Sequence, residues 1–122
     1  MDYREWVEGT YDSMEEFKEL RESMTIDLEC QLEGTGLKLL KTVSRPFCFS
    51  GIVEDDDGRK WLHVLTADVS EDPNWFENVS LRRMSSQSDW KGKVYHYCHW
   101  DALRDAIMEY MKDEYDAETI AY

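Results

Sequence analysis

The chain has 122 residues, with 27 Asp and Glu against 14 Lys and Arg, a formal net charge of −13, and 42% apolar residues. That length suits a single domain over residues 1–122 with a core of its own, and the apolar share excludes disorder by composition. With no run of about 18 apolar residues and no basic-then-apolar leader, neither a membrane span nor a secretory signal is expected, and the protein is expected in the cytoplasm.

In chain order, residues 2–11 (DYREWVEGTY) suggest a short helical turn that docks Trp6, Val7 and Tyr11. Ser13-x-x-Glu16 is a capping-box pattern, and Phe17, Leu20 and Met24 follow at helical spacing. Two patterns then compete. Ile26, Leu28, Cys30 and Leu32 alternate with polar residues as in a half-buried strand, while Leu20, Met24, Leu28 and Leu32 form an i,i+4 row that would carry a helix to Gly34. The β-branched Thr25-Ile26 pair favours a helix to about Ser23 and then a strand.

Gly34-Thr35-Gly36 is a turn, Leu37–Val43 a strand stopped by Arg45-Pro46, and Phe47–Val53 a second apolar strand. Glu54-Asp55-Asp56-Asp57-Gly58 is a hairpin loop with Gly58 at a positive-φ position, and Arg59–Ala67 pairs back across it. Trp61–Thr66 is apolar on both faces, as in a buried strand. Asp72-Pro73 opens a helix carrying Trp75, Phe76, Val79 and Met84. Ser85–Gly92 is a polar loop with an exposed Trp90, and Lys93–Cys98 is the last strand. A closing helix carries Leu103, Ile107, Tyr110 and Met111, followed by a frayed tail from Asp116. The order implies an α+β fold: one antiparallel sheet of four to five strands with helices packed on one face. Trp61, Val64 and Phe76 are expected in its core, and Glu15, Glu19 and Glu22 in solvent.

The residues Trp61-Leu62-His63-Val64 and Pro73-Asn74-Trp75 resemble the W-x-H-V…P-x-W pattern of a family of small phage and prophage proteins. Leu65 and Thr66 stand where that family has small polar residues. The family brings no activity with it, so the resemblance implies a mobile-element origin and nothing about chemistry.

Chemical motifs are sparse. His96-x-Cys98-His99, with His63 and Cys48 on other strands, offers nitrogen and sulfur ligands of the kind zinc takes, but without a paired C-x-x-C or H-x-x-x-H spacing. His63, His96, Cys98 and His99 are therefore weak metal candidates. A nucleophilic cysteine would need a histidine beside Cys48 or Cys98. The odd set Cys30, Cys48 and Cys98 reads as reduced, buried thiols. Asp55-Asp56-Asp57-Gly58 lacks the alternating ligands and the distal glutamate of a calcium loop. No phosphate loop, nucleophile elbow or zinc-protease helix occurs, so no catalytic residue is assigned and no cofactor is expected.

Charge distribution is more informative. Residues 1–33 carry eleven acids and three bases, residues 34–99 nine of each, and residues 100–122 seven acids and two bases. The acidity lies in the two terminal segments. Direct contact with nucleic acid or an anionic membrane is disfavoured, and a basic protein partner is favoured. Glu15, Glu16, Glu19, Glu22, Trp100, Asp105, Glu109 and Tyr110 are the candidate binding residues, with the aromatics as anchors. The expected function is that of a small acidic inhibitor, immunity or anti-defence protein, non-catalytic, acting on a basic nucleic-acid-handling protein. The alternatives are a metal-binding protein or enzyme built on His63, His96, Cys98 and His99, and a phage accessory or structural protein.

Overall fold

A computed structural model describes residues 14–88 and 96–112. The helical turn expected at residues 2–11, the Ser13 cap, Trp90, the first half of the last strand and the tail lie outside the described residues. The elements run α1 (Met14–Leu32), β1 (Lys38–Thr42), β2 (Ser50–Glu54), β3 (Trp61–Leu65), β4 (Val79–Met84), β5 (His96–Cys98) and α2 (Leu103–Lys112). Each strand pairs antiparallel with its sequence neighbour, giving one five-stranded meander in the order β1-β2-β3-β4-β5. Both helices pack on one face of it, as the α+β reading expected.

Residues facing each other across a ladder point to the same side, so register assigns the two faces. Val53, Leu62, Val64, Leu81 and Val79 meet Phe17, Leu20, Met24, Leu28 and Leu32 of α1 and Leu103, Ile107 and Met111 of α2. Gly51 makes this packing close: a Cβ there would lie 3.0 Å from Leu39 and 3.2 Å from the Phe49 ring. The opposite face carries Ser50, Ile52 and Glu54 of β2, Trp61 and His63 of β3, and Arg82 and Met84 of β4. All of these but half-buried Trp61 are buried as well. Val64 is fully buried as expected, whereas Trp61 and Phe76 stop at half-buried. Trp61 stays there because its indole Nε1 donates to Glu54 Oε2 at 2.9 Å, a bond that a fully apolar site would not offer.

Two sequence expectations are corrected. The helix does not give way to a strand near Ser23; α1 runs on to Leu32. The i,i+4 row decides it, because Leu20, Met24, Leu28 and Leu32 all enter the core while Ile26 and Cys30 remain exposed. Thr25 does not break the helix, since its hydroxyl donates to the Arg21 carbonyl at 2.8 Å. The helix ends where Gly34 takes φ +77° and the Thr35 amide and hydroxyl both donate to the Leu32 carbonyl, at 3.2 and 2.6 Å.

The second correction is at Pro73. Asp72 accepts from the Asn74 amide at 2.8 Å, as a capping residue would, yet only one 3-10 turn follows, Trp75–Glu77. Val79 and Leu81 alternate with Ser80 and Arg82, and all five residues from Ser80 to Met84 pair with β3. That ladder satisfies the backbone on a sheet that would otherwise end at β3, and Trp75 still enters the core from the short turn.

Candidate functional site

The described parts of the two acidic segments, residues 14–33 and 100–112, meet in the helical layer. The start of α2 and the turn before it dock on the last two turns of α1 through a half-buried polar seam. Trp100 Nε1 donates to Asp27 Oδ2 at 2.7 Å, and Gln31 Nε2 donates to the Trp100 carbonyl at 3.2 Å. Arg104 Nη1 donates to the carbonyls of Gln31 and Glu33 at 3.0 and 2.7 Å. Arg104 thereby supplies the cation that α1 lacks in its own last turn.

Residues 14–33 and 100–112, which form this layer, hold ten carboxylates against four cationic residues, Lys18, Arg21, Arg104 and Lys112. Glu15, Glu16, Glu19, Glu22, Asp105 and Glu109 are all exposed, as the sequence suggested. Buried positions 17, 20, 24, 28 and 32 set the inner face of α1. The helical repeat then places Glu15, Glu19 and Glu22 along the outer ridge, with Glu29 in the last turn and Glu33 just past it towards the edge of the sheet. Ile26 lies on the same ridge and is 62% exposed. On α2, Met108 is 43% exposed beside Asp105 and Glu109.

The expected aromatic anchors are corrected. Trp100 is fully buried, set edge-on to Phe49 and Trp75 with ring centroids 5.3 and 6.1 Å away, so it joins the helices to the core and presents nothing to a partner. Tyr110 is half-buried, stacked on His96 at 5.8 Å and covered by the Arg83 guanidinium 4.3 Å from its centroid. Within the described part of the helical layer, Ile26 and Met108 are the large exposed apolar side chains that the sequence reading missed. Continuing the helix through residue 32 would have revealed Ile26.

The histidines and cysteines are spread over the molecule. His63 lies on the sheet face opposite His96 and Cys98. His99 accepts at Nδ1 from the Asp101 amide at 3.1 Å, capping the turn before α2. Burial pushes the Cys98 thiol up to about 11, and burial followed by the Asp68 charge raises Cys48, which disfavours the thiolate that either metal binding or attack requires. Among the described residues, the carboxylates of Asp55, Asp56 and Asp57 alone gather as a trio, within 4.8 Å of one another. Asp55 already accepts from the amides of Arg59 and Lys60 at 2.7 and 3.0 Å, which closes the hairpin.

One buried pair has the outline of a nucleophile and its base: Ser50 Oγ lies 2.7 Å from His63 Nε2. Burial first, then the charges of Arg82 and Arg45, lower His63 from 6.5 to about 4. A base so weak takes a proton poorly at neutral pH, and Ser50 is fully buried. The pair holds β2 to β3 and is not poised for catalysis. No helix among the described residues is long and apolar enough to cross a membrane. Comparison of the chain with known protein families, curated proteins and solved structures gives no match.

Proposed function

We propose that this is an acidic binding protein whose helical layer engages a basic protein partner, with no catalysis of its own. The observation that carries this reading is the union of residues 14–33 and 100–112, the described parts of the two acidic segments, in one layer. Ten carboxylates stand against four cations there, while the sheet beneath is close to neutral. A charge excess needed only for solubility has no reason to gather on one side of the fold. Ile26 and Met108 add small apolar anchors within the charged field, the composition of a surface that steers a cationic partner and then excludes water from its centre.

A partner that handles nucleic acid has the required basic surface. Inhibition, immunity or anti-defence action then amounts to occupying that surface in place of phosphate. The W-x-H-V…P-x-W resemblance adds a phage or prophage origin to this reading.

The test is partner capture from host lysate, followed by association kinetics with the purified partner at low and high salt. Steering charges act chiefly on the association rate, so it should fall steeply with salt while dissociation changes less. The triple variant E15K/E19K/E22K should lose most of that salt dependence with its fold intact. Partners that are not basic, or a variant that associates as fast as the wild type at both salts, would sink the proposal.

A further inference from the structure

Where α1 ends, a cleft of about 250 Å³ opens between the helix and the edge of the sheet. Its apolar lining is Leu32, Leu37 and Leu39, and Glu29 and Glu33 supply carboxylates one helical turn apart. Drug-sized ligands occupy pockets of roughly 300–1,000 Å³, so a smaller open cleft suits a single side chain better than a cofactor. We propose that it receives an arginine side chain presented by the basic partner.

Three observations point to a cation. Neither Glu29 nor Glu33 has an ion-pair or hydrogen-bond partner through its side chain among the described residues. The cleft lies at the C-terminus of a 19-residue helix with no basic residue in its last turn, and the cation that does reach this end, Arg104, bonds the Gln31 and Glu33 carbonyls and leaves both carboxylates unpaired. Among the described residues, the cations beside the cleft are engaged: Lys38 lines it but sends its ammonium to Glu54 Oε1 at 3.4 Å, and Arg104 is held by the main-chain carbonyls of Gln31 and Glu33.

The leucine lining selects among cations. An arginine stem lies flat on apolar surface, and its planar fork bonds carboxylates at two points, whereas an ammonium is a strongly hydrated point charge. This inference rests on the basic-partner reading and names the contact that gives it selectivity beyond steering.

The probe is the blocked peptide acetyl-Gly-Leu-Arg-Leu-Gly-amide, titrated into the ¹⁵N-labelled full chain, with lysine and citrulline versions as comparisons. Saturable shifts should centre on the amides of Glu33, Gly34, Gly36 and Leu37. The citrulline peptide and the isosteric variant E29Q/E33Q should each weaken binding by about tenfold or more, as loss of a charge-assisted pair implies. The lysine peptide should bind more weakly than the arginine one. A urea midpoint for E29Q/E33Q at or slightly above that of the wild type shows that the variant is folded, and E15K/E19K/E22K should bind the peptide at the same residues.

Shifts centred elsewhere, or equal binding by the citrulline peptide or by E29Q/E33Q, would overturn the proposal. The two readings fail separately. If a basic partner associates in a salt-sensitive way but its affinity is unaffected by E29Q/E33Q, the arginine cleft falls and the acidic layer stands. If no basic partner is found while the peptide still titrates at the cleft, the reverse holds.

Discussion

Acid should destabilise this protein through His63 before its carboxylates protonate. In the fold, burial and two nearby arginines hold the imidazole at about 4, whereas in the open chain it returns to 6.5. Between those values the unfolded chain binds a proton that the folded one refuses. The contribution of neutral His63 is therefore fully present above pH 6.5, shrinks as pH falls, and is gone below about 4. At about 1.4 kcal/mol per pKa unit, the whole effect is about 3 kcal/mol, a large part of the 5–15 kcal/mol typical of a domain. Roughly 2 kcal/mol of it should disappear between pH 6.5 and 5. Urea unfolding followed by tryptophan fluorescence at pH 7.5, 6.5, 5.5 and 5 measures this directly.

Easing of carboxylate repulsion as pH falls works in the opposite direction, so the His63→Gln variant is the necessary reference. Its amide can still bond Ser50 Oγ but does not titrate. The wild type should lose stability relative to His63→Gln as pH falls. Parallel profiles for the two proteins would mean that His63 is not held neutral in the core, and the account of the Ser50–His63 pair would fail with it.

Other outcomes follow from single contacts. Gly51→Val should destabilise by about 1–3 kcal/mol in urea melts, because its side chain must displace Leu39 or the Phe49 ring. Trp100→Phe should cost about 1–3 kcal/mol, since it leaves Asp27 Oδ2 without the indole N–H while keeping most of the aromatic packing. Ile26→Ser should leave the unfolding midpoint within about 0.5 kcal/mol of wild type, as exposed substitutions usually do, yet speed dissociation of the partner in surface plasmon resonance.

What could be read from the sequence was local. The Asp57-Gly58 hairpin, the two-faced strand at Trp61 and the stripe of Leu103, Ile107 and Met111 each announced themselves within a few residues. Errors arose where two periodicities shared the same letters. In residues 26–32 the strand pattern is a by-product of an i,i+4 core row beside an exposed isoleucine and cysteine, so only packing could choose between them. After Pro73 the capping chemistry is real, but β4 gains a complete ladder with β3 and the helix does not propagate. Trp100 looked like a surface anchor because it sits among acids in sequence, whereas Phe49 and Trp75, distant in sequence, enclose it. The cleft was invisible for a related reason: its two walls, α1 and β1, are neighbours only once the Gly34 turn folds one back against the other.

The acidic ridge has an energetic consequence that connects stability to binding. Glu15 and Glu19, and likewise Glu29 and Glu33, are like-charged pairs one turn apart, each costing an isolated helix about 0.2–0.5 kcal/mol. Glu15 and Glu16 recover part of this at the positive end of the helix, but Glu29 and Glu33 sit at the negative end, where the offsetting cation is Arg104 on the end carbonyls. The C-terminal half of α1 is thus held by its leucine row and the Arg104 seam against its own charge. Added salt screens that repulsion and should raise the stability of the free protein, while the same screening slows association with a cationic partner. A bound partner removes the repulsion by pairing, and it stabilises the fold in proportion to its occupancy. Hydrogen exchange of the residue 28–34 amides should therefore slow on complex formation and, to a smaller extent, on adding salt alone. If salt left those amides unchanged while a basic partner still protected them, the ridge would not be repelling itself, and the partner's contribution would come from direct contact instead.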